Sequence, residues 1–262
     1  MVNIFLFETI FRNPDDFFGK IYEKSGLLGI ILNSLLSITL FGFIFGISMG
    51  VWSWEPLQMV YSAVKVPLLI LISIVVVLPS YYVVNMALGG RQSFLQLSAL
   101  FLSCFSILTT ILLAFVPVNL FFILTSPRDT VSYIFMVFLT LILFGFGGIL
   151  SVFYMVEGTI FLVKKQSEQD MLKEIISVII ALGTLAFIGT QLAWFIRPWF
   201  NFEPNFIRPE ISGNFYIAII KVVFTNPALG FIFIGVCGLI FIPFFKWSVK
   251  LIQSLTLSNK ID

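Results

Sequence analysis

Six stretches of this 262-residue chain contain no charged residue: Ser25–Trp54, Val66–Gly90, Gln92–Pro127, Thr130–Val156, Ile175–Ile196 and Val222–Phe245. Each reaches the roughly 20 apolar residues that a helix needs to cross a hydrocarbon core. A water-soluble helix keeps a polar face, and uncharged runs of 22 to 36 residues do not supply one. The pattern predicts an all-α fold, a polytopic transmembrane helical bundle of about six spans. Charged residues make up 11% of the chain against about 25% in an ordinary globular protein, which points the same way.

Charge placement predicts the topology. With six spans and the N-terminus inside, the cytoplasmic side collects ten basic residues, among them Arg12, Arg91, Lys164 and Lys246. The far side collects five: Lys65, Arg128, Arg197, Arg208 and Lys221. The positive-inside tendency then puts both termini in the cytoplasm. Trp52 and Trp54, Trp194 and Trp199, and Trp247 fall at three span ends, where indole rings favour the headgroup level. Arg12, Asp15, Asp16 and Lys20 near the start argue against a cleavable leader, so the first span is expected to act as the insertion signal. A net charge of +2 is too small to suggest nucleic acid as a partner.

Residues 1–24 read as an amphipathic segment. Asn13 stands at an N-cap, Pro14 at the first helical position and Asp15 and Asp16 in the first turn, with Phe17, Phe18 and Ile21 as the apolar stripe. It is expected either to lie on the inner membrane surface or to dock a cytoplasmic partner. Residues 25–255 form the six-span domain and 256–262 a short cytoplasmic tail.

In the first span Gly42, Gly46 and Gly50 make a double small-xxx-small pattern, which lets a neighbouring helix approach closely. That neighbour belongs either to the same subunit or to a second copy. Gly145, Gly147 and Gly148 form a softer cluster in span four. Pro67, Pro79, Pro117 and Pro243 each remove a helical hydrogen bond, so kinks or unwinding are expected there. Span three is too long for a straight crossing, and Pro117-Val118-Asn119 is where it would bend or break.

The segment 197–216 interleaves aromatics, arginines and prolines and reads as an ordered cap over the outer face, a structural lid or a surface for a partner or a headgroup. Its candidate residues are Gln191, Trp194, Arg197, Pro198, Arg208 and Asn214. Glu157, near the inner end of span four, is the candidate intramembrane ionisable site, either a headgroup-level carboxylate or a proton or cation site. Lys65 reads as a snorkelling anchor.

Catalytic machinery is not expected. The chain has no histidine, which removes the commonest acid–base group and transition-metal ligand. Cys104 and Cys237 each sit in an apolar run and read as small hydrophobes. No P-loop or dinucleotide fingerprint occurs, and cofactors and metals are expected to be none.

Asn13-Pro14-Asp15-Asp16-Phe17-Phe18, the proline-bearing second span, Gly89-Gly90-Arg91-Gln92-Ser93-Phe94-Leu95-Gln96 and the late Pro117 together resemble bacterial Yip1-like integral membrane proteins over residues 13–163. Gln191, Trp194, Arg197 and Pro198, followed by Gly213-Asn214-Phe215-Tyr216, are similar to a box found in a set of bacterial membrane proteins. The resemblance implies a membrane-organising or interaction protein and supplies no functional residue. The leading expectation is a non-enzymatic scaffold or subunit of a larger membrane assembly, with lipids and other subunits or itself as partners. The alternatives are a small-solute or ion channel or transporter using spans two and three, and a lipid-handling protein whose Phe-rich grooves accept acyl chains.

Overall fold

A computed structural model describes residues 10, 12–166, 171–197, 199–200, 205–207, 213–225 and 227–258. Its described elements are helical: α1 Pro14–Tyr22, α2 Leu27–Gly50, α3 Pro56–Ala87, α4 Phe94–Ala114, α5 Val116–Thr125, α6 Thr130–Lys164, α7 Met171–Phe195, α8 Phe215–Thr225 and α9 Pro227–Ser258. Five helices, α2, α3, α4, α6 and α7, are long and apolar enough to cross a membrane, and a bent pair in α8 and α9 raises the number to six if it counts as one span.

Helix α2 carries the argument for lipid as solvent. Leu28, Leu32, Leu36, Leu40, Phe43 and Ile47 recur every three or four residues and are exposed, whereas Ser34, Ser37, Gly42, Gly46 and Ser48 are buried. Small and weakly polar residues face the protein and large apolar ones face outward. In water that outer stripe would be an aggregation hazard; against acyl chains it is at rest. The protein is an integral membrane protein built as a helical bundle.

Helix α2 packs on α3 and α4, α3 on α7, α4 on α6, and α6 meets α7, so five spans close into a ring. Neighbouring numbers give the directions. Gly42 meets Pro67, Gly46 meets Ala63 and Gly50 meets Met59, an antiparallel α2–α3 pair. Ser34 Oγ lies 3.5 Å from Ser103 Oγ, and further along Asn119 of α5 donates to Ser48 Oγ at 2.8 Å, so α2 and the α4–α5 segment run the same way. Leu108 lies against Gly147 and Leu100 against Gly158, making α4 and α6 antiparallel. Phe138 stacks on Phe233 at 4.4 Å and Phe153 meets Trp247 at 4.2 Å, so α9 runs parallel to α6. We call the end holding Trp54, Arg128 and Arg197 the loop end, and the other the amino end.

Several expectations change here. Pro67 and Pro79 lie inside one helix, α3, as Pro243 does inside α9. Span three does break: α4 ends at Ala114, and Pro117 stands in the first turn of α5, where its missing N–H costs no helical bond. The uncharged run Val222–Phe245 is not one straight span. Residues Phe215–Thr225 and Gly230–Leu239 meet at 119°, and Pro227 opens the second helix. Helix α1 covers only Pro14–Tyr22 of the amphipathic segment, and Asn13 makes no side-chain cap bond. Its apolar stripe turns inward: Phe17, Phe18 and Ile21 are buried, with Phe18 4.9 Å from the Tyr154 ring, and Gln96 Nε2 donates to the carbonyls of Ile21 and Tyr22.

The Gly89–Gln96 motif has a local reason. Gly89 takes φ 99°, a left-handed conformation that suits glycine. Ser93 and Gln96 form a capping box at the start of α4, and the Gln96 side chain then holds α1. An added Cβ at Gly90 would lie 2.8 Å from Glu174 Oε1, so the turn sits directly on a buried acid.

Candidate functional site

The glycine pattern of α2 is used within the chain. A Cβ on Gly46 would come within 2.7 Å of Ala63 Cα, one on Gly50 within 3.0 Å of the Gln58 carbonyl oxygen, and one on Gly42 within 3.4 Å of the Pro67 backbone. These are backbone atoms of α3, so the two helices touch along the stripe.

A cavity of about 1120 Å³, partly open to the outside, lies among α3, α4, α6 and α7. Helix α7 contributes a stripe from Ile175 and Ile179 through Leu182, Gly183, Ala186, Gly189 and Ala193 to Arg197. At 1.5 Å per residue that stripe is on the order of 33 Å long, about the thickness of a hydrocarbon core. Facing it on α6 are Val137, Phe144, Gly145, Gly148, Val152 and Met155. Gly145, Gly148 and Gly183 differ from the α2 glycines: an added Cβ on any of them meets nothing within 4 Å. Gly147, one position away, packs instead on Leu108.

Three hydroxyls of the lining are turned back on their own helices, whereas Thr140 Oγ1 is buried with no hydrogen-bond partner among the described residues. Ser73 donates to Leu69 O at 2.8 Å, Ser151 to Gly147 O at 2.8 Å and Thr190 to Ala186 O at 2.8 Å. Among the described lining residues Arg197 is the one with a charge. Its guanidinium lies 3.5 Å from the Trp194 ring centre. The Trp194 Nε1 atom is enclosed and has no hydrogen-bond partner among the described residues. Such a donor costs about 1–3 kcal/mol of desolvation unless an acceptor meets it.

Above the cavity, Trp199, Asn205 and Phe206 dock on α3. Trp199 donates through Nε1 to Ala193 O at 3.0 Å, and its carbonyl accepts from Ser62 Oγ at 3.2 Å. Lys65 is not a snorkelling anchor: it is fully buried, and its Nζ donates to Asn205 O at 3.1 Å with the Phe206 ring 5.5 Å away. A flexible stem lets an ammonium reach upward, but here the segment comes down to meet it. Asn214 caps α8 through Oδ1, which accepts from Ile217 N at 2.9 Å. Gln191 is half-buried on α7. Pro198 and Arg208 lie outside the described residues.

Trp52, at the loop end of α2, is buried against the protein. Arg128 stacks over it at 4.5 Å and donates to its carbonyl, with Trp54 at 5.8 Å on the exposed side. Beside it Asp129 caps α6, and the Ser132 N–H donated to it at 2.7 Å holds its carboxyl below the usual aspartate range.

Glu157 faces outward, exposed on α6. The buried acid is Glu174, in the first turn of α7 at the amino end. Asn85 Nδ2 donates to it and also lies 3.3 Å from Ser177 Oγ, while Asn85 Oδ1 has no partner among the described residues. Sequence reasoning missed this acid because Glu174 marks the edge of an uncharged run. The signal available was Asn85, an amide near the end of an apolar span. The cluster joins the ends of α3 and α7.

No protein-family model, curated protein or solved structure matches the chain.

Proposed function

We propose that this integral membrane protein is a non-enzymatic lipid-holding protein, with the acyl part of the ligand in the cavity between α6 and α7. The cavity itself carries the reading. It is lined almost wholly by apolar side chains, has a volume of about 1120 Å³ and is partly open to the outside, so in a bilayer it borders lipid. The few polar groups of the lining, with Ser73, Ser151 and Thr190 already bonded to their own helices, give water little to hold, since it needs several polar partners to enter a protein interior. Acyl chains are the apolar material a membrane supplies.

The conductor reading has less support: the described lining carries no carboxylate, and Glu157 lies on the outside. The scaffold reading keeps one observation. Helix α9 is exposed along much of its length, with Phe224 of α8 and Phe231, Leu239 and Phe245 among the most exposed large residues, so assembly would use that face rather than the α2 glycines. We further place both termini on the cytoplasmic side of a bacterial inner membrane, supported by the ten-to-five distribution of basic residues and the alternating helix directions. Yip1-like kinship over residues 13–163 belongs to the same proposal and rests on the motifs quoted above.

Native mass spectrometry of the full chain released from mild detergent tests the lipid reading. The wild type is expected to carry a lipid-sized adduct, and the Gly148→Phe/Gly183→Phe double variant to lose it. A lipid-free wild type, or an adduct indifferent to filling the cavity, would contradict it.

A further inference from the structure

Independently of what fills the cavity, we infer that Glu174 is a proton-binding site, its carboxylic acid paired reciprocally with the Asn85 amide to fasten α7 to α3. Glu174 is 3% exposed and Asn85 is fully buried. Asn85 Nδ2 donates to Glu174 Oε2, which uses one side of the amide. The other side is unsatisfied: Asn85 Oδ1 is enclosed and has no hydrogen-bond partner among the described residues. An amide oxygen can only accept, so what completes it is a donor.

Gly90 shows where that donor sits. An added Cβ there would collide with Asn85 Oδ1 and lie 2.8 Å from Glu174 Oε1, so both oxygens border the one small space that the glycine leaves. With an ionised carboxylate, two acceptors meet across that space and one stays unmet, which is costly for a buried group. A proton on Oε1 turns one acceptor into a donor. Oε1–H then donates to Oδ1 while Oε2 accepts from Nδ2, and the ring is complete with both groups neutral. Turning the amide over changes nothing, since an amide brings one donor and one acceptor and a carboxylate brings acceptors alone.

The surroundings favour the neutral acid, because a carboxylate taken out of water asks for a counter-charge. Among the described residues the Glu174 side chain is met by the amides of Asn85 and Gln92, and Ser177 Oγ turns back to the Glu174 carbonyl at 2.7 Å. Tyr81, buried on α3 one turn before Asn85, is a titratable group facing the pair. The charged residues of the adjoining elements at this end are exposed: Arg91 of the turn, Lys173 of α7, and Glu157, Lys164 and Lys165 of α6. Protonated, the pair clasps two walls of the cavity together; ionised, the ring opens.

Infrared spectroscopy of the full chain in nanodiscs tests the inference. At neutral pH the wild type is expected to show the C=O stretch of a protonated carboxylic acid, which Glu174→Gln loses and Glu157→Gln keeps. The amide introduced by Glu174→Gln completes the same ring without a titrating proton. In mild acid its unfolding midpoint should lie within about 2 °C of wild type, whereas Glu174→Ala should fall by about 4 °C or more. Above the ordinary glutamate value of ~4.3 the folded chain holds one proton more than the unfolded chain. The clasp is therefore fully present below that value and is lost as pH rises until Glu174 ionises, so the wild-type midpoint should drop below that of Glu174→Gln. An acid band that Glu174→Gln leaves in place, or no acid band at all, would overturn the inference. So would a Glu174→Gln chain that fails to fold or melts with Glu174→Ala, since an ionised acid, hydrated or holding a cation, predicts that loss.

Discussion

Glycines on α2 and glycines on α6 and α7 look alike in the chain and do opposite things in the fold. Gly46 and Gly50 bring two backbones into contact, with no room left for a methyl group, whereas Gly145, Gly148 and Gly183 border open space. In lipid there is no hydrophobic force between helices, so a small residue promotes association only where a partner backbone is shaped to meet it. Helix α3 meets Gly46 with Ser62 and Ala63, themselves small. Gly145, Gly148 and Gly183, by contrast, line the cavity with no atom within 4 Å of an added Cβ, so their missing side chains leave open volume. Small residues mark closeness or vacancy, and the opposing helix decides which.

Alanine substitutions separate the two cases, read as unfolding in mild detergent by tryptophan fluorescence. Gly46→Ala is expected to have the largest effect, a net loss of about 2 kcal/mol. Overpacking against fixed backbone costs up to roughly 3 kcal/mol, occasionally more, and exceeds the gain of about 1 kcal/mol from better helix propensity. An unchanged midpoint would break the comparison on its close-packed side. Gly90→Ala comes next, losing about 1–2 kcal/mol, because the methyl group would push on the Asn85 and Glu174 side chains, which can yield where backbone cannot. Gly148→Ala and Gly183→Ala should raise stability, each by up to about 1 kcal/mol, since only propensity changes. A marked loss at either would mean that the cavity is closed in the membrane.

Gly42→Ala sharpens the boundary between the cases. Its methyl group would sit 3.4 Å from Pro67, so packing and propensity nearly cancel and the midpoint should barely move. A small effect is also expected of Asp129→Ala, outside both regions. The depressed carboxyl of Asp129 contributes stability above the ordinary aspartate value near ~3.9 and loses it as pH falls through the lower folded value. The variant's small deficit should therefore be present at neutral pH and vanish in strong acid; a deficit independent of pH would contradict the assigned cap.

Much of the helical frame was legible because charge is expensive in hydrocarbon, so charged residues mark where spans end. The same logic misread Lys65 and Glu174. A lysine nine residues inside its helix can snorkel or be covered, and the sequence around it reads the same either way. What decides is a segment some 140 residues later that brings Asn205 O to its Nζ. Glu174 is met by Asn85 from a helix 89 residues earlier. Phe17 and Phe18 pose the same difficulty: an apolar stripe fits a headgroup layer or a groove between Tyr154 and Phe161 equally well, and only packing distinguishes them. The break at Pro117 was legible, because proline acts locally on the helix that holds it. The cavity was not, because a void is a property of two helices and belongs to neither sequence.

The most direct test is an experimental structure of the full chain in phospholipid nanodiscs. We expect elongated density beside Gly148 and Gly183, ending near Arg197, with α2 and α3 in bare contact at Gly46. Helices α6 and α7 closed on each other with no such density, or lipid wedged between Gly46 and Ala63, would contradict the account.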